Sequence, residues 1–373
     1  MRKVRAWIAA VAIAAVALGA TAAPAIAVPA NFWGVVPQAT PTAEQFQRLK
    51  RGGVDSVRIP ILWNAVQPSP GATPEWSGVD ALVRGAANQG LDVLPFVYSA
   101  PTWVVPSVVV DSRSSIRAPR NLPVRTGAQR SAWTAFLALA VARYGPAGSF
   151  WAENPSVSRR PIRSWQIWNE ENFKYFVARP NPVEYGQLVK ISYSAIKTAD
   201  PGAKIVLGGM FARPKEAQKK TKPPLAYFAT DFLDQMYEAT PGIGKKFNGV
   251  ALHPYTSNYK ELTPDIEEVR DVLTENHDAG KGLWITELGW SSQRPTNTNV
   301  FAKGVSGQAS QLRGAFKLLS AKRRKWKIQR VYWFSVDDQI GTCNFCDGSG
   351  LFGPGFIPKP SWSAYVKFAG GTP

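Results

Sequence analysis

The sequence predicts an α/β fold, a single (β/α)8 barrel of the TIM type, on three observations. Strand-like apolar runs alternate with helical patterns along the whole chain, eight such runs can be counted, and the last is followed by one more helical segment. No Ser/Gly-rich linker, low-complexity tract or solenoid-type repeat divides the 373 residues, so one large domain fits better than two.

Residues 1–27 stand outside that count. Arg2, Lys3 and Arg5 form a positive n-region, residues 6–20 an apolar run, and Ala25-Ile26-Ala27 a small-residue cleavage site. This pattern predicts a secretory signal peptide, too short for a comfortable membrane span, with the barrel domain at 28–373 and the mature protein outside the cell.

The elements follow in order. "NFWGVV" is the first strand; Thr42 then opens a helix in "TAEQFQRLKRG", with Glu44 in its first turn and Gly52 closing it. "SVRIPILW", "LDVLPFVYS", "SWQIWN", "KIVLGGM" and "GVALHPYT" supply strands two to six, and "LWITELGW" and "RVYWFSV" strands seven and eight. Between the last two, "SQLRGAFKLLSAKRRKW" keeps its apolar residues on a 3.6-residue stripe, and "PSWSAYVKF" supplies the closing helix.

Composition narrows the chemistry. With 14 tryptophans and 2 histidines, the chain lacks the residues for a multi-histidine metal centre, and no G-x-S-x-G, H-E-x-x-H or P-loop motif is present. No metal or cofactor is expected. The formal charge of +18 includes three from Arg2, Lys3 and Arg5; it suggests nucleic acid first, yet no nucleic-acid-binding motif accompanies it, and the aromatics do not interleave with the basic runs. Nucleic acid is therefore set aside, and the protein is expected to be a monomer without a stable membrane span. Cys343 and Cys346, in "GTCNFCDGSG", are read as a small structural disulfide rather than a catalytic dithiol, given an exported chain.

In a (β/α)8 barrel the loops after the strands form the functional face, so polar residues at strand ends carry weight. Asn169 and Glu170 end strand four, His253 and Tyr255 strand six, Glu287 strand seven, and Asp337 and Asp338 strand eight; Arg58 lies inside strand two, where a charge needs a partner. Alternation places Gln166, Trp168 and Glu170 on one face, Ala251, His253 and Tyr255 on another, and Leu283, Ile285 and Glu287 on a third. If these faces are inward, Glu170 and Glu287 lean over the barrel mouth and Glu171 points away.

Two opposed carboxyls are what cleavage of a glycosidic bond requires: one protonated to donate to the leaving oxygen, one ionised to attack or to activate water. Glu287 is expected as the nucleophile, kept charged by Tyr255 or Arg58. Glu170 is expected as the acid, raised by desolvation beside Trp168 and by the charge of Glu287, with Asn169 at the sugar's 2-hydroxyl. Trp63, Trp103, Trp168, Trp290 and Trp333 lie at or beyond strand ends, where rings can stack on sugars; Trp165 and Trp284 are expected to face the helices.

On these residues the sequence resembles glycoside hydrolase clan A, the retaining (β/α)8 enzymes, and is most similar to family 39 and family 5 sequences. The matching marks are Asn169-Glu170, His253-Pro254-Tyr255, Glu287 in "WITELGW", Trp333, and Arg58 in "VRIPILW". The resemblance spans the mature chain and implies Glu170 as acid/base, Glu287 as nucleophile and retention through a covalent intermediate, with Asn169, His253, Tyr255 and Trp333 around the scissile sugar. One departure stands out: those families usually carry proline after the acid/base, and here Glu171 occupies the place.

The expectation is thus a secreted β-glycosidase acting on an oligo- or polysaccharide. A catalytically silent carbohydrate-binding barrel would keep the aromatics but has no need of both glutamates, and a transglycosylase would share every catalytic residue. Arg113, Arg117, Arg120, Arg125 and Arg130 after strand three, Arg179 after strand four, and Lys215, Lys219, Lys220 and Lys222 after strand five would give the cleft a positive rim that favours an anionic glycan.

Overall fold

The structure, a computed structural model, describes residues 28–107, 121–213, 223–341 and 345–373. The signal peptide expected over 1–27 lies outside the described residues. Eight parallel strands form the barrel: β1 (Trp33–Val36), β2 (Ser56–Leu62), β3 (Asp92–Tyr98), β4 (Ser164–Ile167), β5 (Lys204–Leu207), β6 (Gly249–His253), β7 (Gly282–Leu288) and β8 (Ile328–Phe334). Each pairs with the next, and β8 returns to β1 with Val331 opposite Trp33, so the sheet closes.

The weakest seam is β5 to β6, where one pair, Val206 and Gly249, carries the ladder. Asn248 reinforces it: its amide N–H donates to the Ile205 carbonyl at 2.7 Å, and its side-chain oxygen accepts from the Ile205 N–H at 2.9 Å. Beyond Gly208 and Gly209, the two-residue extension Met210–Phe211 rejoins β6.

Among the described residues, the barrel is enclosed by α1 (Ala43–Arg51), α2 (Ser77–Asn88), α3 (Gly127–Tyr144), α4 (Pro182–Ala199), α5 (Ala229–Ala239), α6 (Leu262–Glu275), α7 (Gly304–Trp326) and α8 (Pro360–Ala369). Their ends follow local chemistry. Thr42 caps α1 in a capping box with Gln45, as its position in the sequence suggests, and Gly52 closes the helix. Among the described residues, no helix is long and apolar enough to cross a membrane.

Alternation along the strands sorts side chains into two cores. Val57, Ile59 and Ile61 of β2, Trp165 and Ile167 of β4, and Leu283 and Ile285 of β7 join the large layer under the helices. Val36, Leu94, Val206, Ala251, Trp284, Tyr332 and Phe334 fill the barrel interior, as the packed centre of such a fold requires. Two expectations are corrected here: Trp284 faces the interior rather than the helices, and Leu283 and Ile285 face the helices rather than the interior.

Candidate active site

The stretch "SWQIWNEENF" leaves β4 by a backbone that breaks strand alternation. Trp168 and Glu170 both take left-handed conformations, with φ of 74° and 42°. The first turns the Trp168 ring outward against Trp133, with its indole N–H on the Phe176 carbonyl at 3.1 Å. Asn169 and Glu170 are thereby delivered to the barrel mouth, and Glu171 and Asn172 to the β5 side.

Those last two residues fasten the loop. The Asn172 amide donates to the carbonyls of Phe211 (2.7 Å) and Tyr227 (2.9 Å), and its oxygen accepts from the Phe211 N–H (3.0 Å). Glu171 is fully buried and accepts from the Gly208 N–H at 3.3 Å; the Tyr185 hydroxyl accepts from the same N–H and donates to the Ile167 carbonyl. A side chain at position 208 would meet a Glu171 oxygen and the Ile167 carbonyl, so only glycine fits this crossing. Burial pushes the Glu171 carboxyl up to about 8, against the hydrogen bonds it receives.

Glu287 reaches the mouth by a different device. Trp284 of β7 faces the interior, and Thr286 turns inward as well, so strict alternation would turn Glu287 outward. A register irregularity between Ile285 and Leu288 instead lets Thr286 and Glu287 both reach inward. The Glu287 carboxylate then accepts from the Arg58 guanidinium at 2.6 Å and from the Tyr255 hydroxyl at 2.7 Å.

Arg58 organises the rest. It is fully buried, its guanidinium carbon lies 3.8 Å from the Phe96 ring centroid, and its remaining N–H groups donate to Asn169 (2.6 Å) and Gln166 (2.7 Å). Because a guanidinium only donates, Gln166 must present its oxygen to Arg58 and therefore its amide N–H2 to Thr286, 3.4 Å away. The Thr286 hydroxyl then donates to His253 Nε2 at 2.9 Å, which leaves the imidazole proton on Nδ1, directed at Glu170 Oε1 at 2.8 Å. One chain of donors thus runs from Arg58 to Glu170 and fixes the histidine tautomer.

The two carboxyls come together as the chemistry demands. Glu170, His253 and Glu287 each offer an atom within 4.8 Å of the others, and the glutamates are 7% and 8% exposed. Burial raises the Glu170 pKa well above the usual carboxyl range, the charge of Glu287 adds to this, and Arg58 opposes it. Burial, then the charge of Arg58, keep His253 well below its ordinary value and hence neutral. Burial and Glu287 raise the Tyr255 hydroxyl, which stays a donor. Glu170, His253 and Glu287 have a metal-like spacing, but Arg58 already contacts Glu287 and supplies the positive charge.

Six expected site residues therefore converge: Arg58, Asn169, Glu170, His253, Tyr255 and Glu287. Trp168, Trp290 and Trp333 do not. Each is at most 1% exposed, with its indole N–H on a backbone carbonyl, those of Phe176, Thr256 and Ser349 respectively. The reason at β8 is register: Tyr332 and Phe334 face inward, so Trp333 packs outward against Trp290 and Phe316. Trp63 is likewise in the core, stacked on Phe136, while Trp103 is half-buried beside it.

Sequence reasoning missed Gln166 as Arg58's partner, Thr286, Phe96, and an aromatic wall of Phe334 and Phe345 packed on Tyr255. Alternation along β4, which sets Gln166 on the face of Glu170, could have found the first; Thr286 shares the face of Trp284, which was expected outward, and nothing local marks Phe345. Asp338 is taken up structurally, paired with Lys359 at 2.7 Å. Of the expected basic rim, Arg125 pairs with Glu184 and Arg130 donates to the Val124 carbonyl. Arg113, Arg117, Arg120, Lys215, Lys219, Lys220 and Lys222 lie outside the described residues, as does Cys343.

No family model matches the chain. Among solved structures it is similar to a family 39 glycoside hydrolase from the gut symbiont Bacteroides cellulosilyticus WH2, at 22% identity and a TM-score of 0.65, over 91% of this chain and 63% of that one. A monomeric β-xylosidase from Caulobacter crescentus CB15 matches at 18% identity and a TM-score of 0.60, over 90% of this chain and 67% of that one. A GH5_18 protein from Bifidobacterium longum subsp. longum, solved with Manβ1-4GlcNAc, matches at 13% and 0.61, over 91% of this chain and 78% of that one. The chain spans less than two thirds of the length of the first of these. At such identities the shared feature is the fold, the barrel that the resemblance to clan A implies.

Proposed function

We propose that the chain is a retaining glycoside hydrolase acting on a β-linked glycan, with Glu287 as nucleophile and Glu170 as acid/base. The observation that carries this is the pairing of two glutamates within 4.8 Å at the barrel mouth, in environments that separate their roles. Retaining enzymes hold their carboxyls about 5–5.5 Å apart and inverting ones about 6.5–9.5 Å; one oxygen of Glu170 approaching one of Glu287 to within 4.8 Å supports the shorter, retaining arrangement.

Glu287, whose oxygens accept from Arg58 and Tyr255, attacks the anomeric carbon. Glu170 Oε1 accepts from His253 Nδ1, which leaves its other oxygen to carry the proton to the leaving group. Attack by Glu287 forms the glycosyl ester as that proton departs; Glu170, now ionised, removes a proton from the incoming water in the second step. Asn169, oriented by Arg58, presents its amide N–H2 to the sugar.

Export after removal of residues 1–27 and a Cys343–Cys346 disulfide belong to the same proposal, supported by the leader-like composition and the "CNFC" spacing, and a monomeric state completes it. Turnover of aryl β-glycosides and β-linked polysaccharides by the wild type and by Glu287→Gln tests the assignment. Abolished turnover in a folded Glu287→Gln protein is expected; equal turnover in both refutes it. Uronate-containing polymers in the same panel decide whether the basic loops select an anionic glycan.

A further inference from the structure

Tyr255 borders two spaces. Its hydroxyl donates to Glu287, and its ring also lines a separate recess of about 340 Å3 between the loops that follow β6 and β7. Arg213, Ser257, Glu261, Asp265, Val300 and Phe301 also line it. The volume lies at the small end of ligand sites, which run from about 300 to 1,000 Å3.

The recess has two chemically distinct sides. On one, the Phe301 ring stands edge-on to Tyr255 at 6.3 Å, and Val300 beside it is 52% exposed. Phe301 is fixed by its backbone: its carbonyl accepts from the Ser291 N–H at 2.9 Å, and its N–H donates to Asn299 at 3.1 Å. On the other side the polar groups are already held. Glu261 accepts from Ser257 and Asn258, and Arg213 is paired with Asp265 and Glu268. Prearranged polar groups opposite an aromatic face suit a sugar ring, whose C–H face is apolar and whose rim is hydroxylated.

Charge narrows the class. Among the described residues the lining sets one guanidinium, Arg213, against two carboxylates, Glu261 and Asp265, which disfavours an anion. We propose that this recess is a second subsite, taking a neutral pyranosyl unit of the same chain whose scissile sugar lies between Glu170 and Glu287. The proposal rests on the glycosidase reading above and extends it from one sugar to at least two.

The test compares wild type with Phe301→Ala, which removes the aromatic face, and Val300→Trp, which fills the recess from a solvent-exposed position. Substrates are 4-nitrophenyl β-xyloside and β-glucoside, each a single sugar, against β-1,4-linked xylotriose and cellotriose. Both variants should lower kcat/KM for the trisaccharide roughly tenfold, the worth of one aromatic contact, and leave the aryl monoglycosides unchanged. Equal losses on both substrate classes, or none on either, overturn the subsite.

Calorimetric binding of the trisaccharides to Glu287→Gln reports on the recess without turnover. Weakened binding on adding Phe301→Ala supports it; unaltered binding, or no binding to Glu287→Gln itself, overturns it. Trigalacturonate bound more tightly than the neutral trisaccharides overturns the neutral assignment. Absence of turnover on every aryl glycoside and every trisaccharide would instead remove the hydrolase reading, so the two failures are distinguishable.

Discussion

Replacing Arg58 with methionine keeps the length of the side chain and deletes its charge. In the structure this removes three donors at 2.6–2.7 Å, to Glu287, Asn169 and Gln166, from a fully buried position. Stripping one partner from a buried ion pair costs about 3–5 kcal/mol, because the other charge stays desolvated. Glu287 keeps Tyr255 and a side chain only 11% exposed, so water relieves little of that cost.

The loss should therefore depend on the Glu287 charge. A double-mutant cycle with Glu287→Gln measures this by urea unfolding of all four proteins at pH 7. In Arg58→Met/Glu287→Gln no carboxylate is stranded, so the double variant should be more stable than the sum of the single effects predicts, by about 2 kcal/mol or more. Additivity within about 0.5 kcal/mol would show that Arg58 acts through packing on Phe96 rather than through the nucleophile. In turnover, Arg58→Met alone should lower kcat by at least about a hundredfold, the scale of a lost preorganised donor at a reacting centre.

Two further outcomes follow from the buried network. Thr286→Val keeps shape but removes the hydroxyl that sets the His253 tautomer; kcat should fall about tenfold or more for 4-nitrophenyl and alkyl glycosides, whose leaving groups need protonation, and hardly at all for 2,4-dinitrophenyl glycosides. A uniform loss across leaving groups would contradict the relay. Glu171, raised by burial from 4.5 to about 8, contributes stability that is fully present below pH 4.5 and is lost as pH rises toward 8, since unfolding then releases a proton. Glu171→Gln, a neutral isostere, should abolish a slope of about 1.4 kcal/mol per pH unit across that window, and urea melts at pH 5, 6.5 and 8 that show the same slope in both proteins would refute it.

Ala251, His253 and Tyr255 were placed correctly because β6 alternates without interruption up to its end and Tyr255 continues the pattern just beyond it. The same rule failed at Trp168, where a left-handed backbone intervenes; Trp333, which the resemblance sets around the sugar, packs outward because the neighbouring Phe334 holds the inward register. Glu287 faces the mouth as expected, yet for a reason the pattern could not contain: a local irregularity in β7 reverses the face that Leu283 and Ile285 define. Glu171 points away from the mouth, as alternation suggested, and its partner Gly208 lies 37 positions further along the chain.

The sequence by itself determined the number and kind of elements, the closed parallel sheet they form, and the strand-end position of the two glutamates, because periodicity and capping act over a few neighbouring residues. Only the tertiary structure decided which side chain each mouth position shows and which partners it meets. Those outcomes depend on one-residue shifts in backbone handedness and register, which leave almost no trace in the pattern of apolar and polar residues but turn a side chain from solvent to core or from helix to cleft.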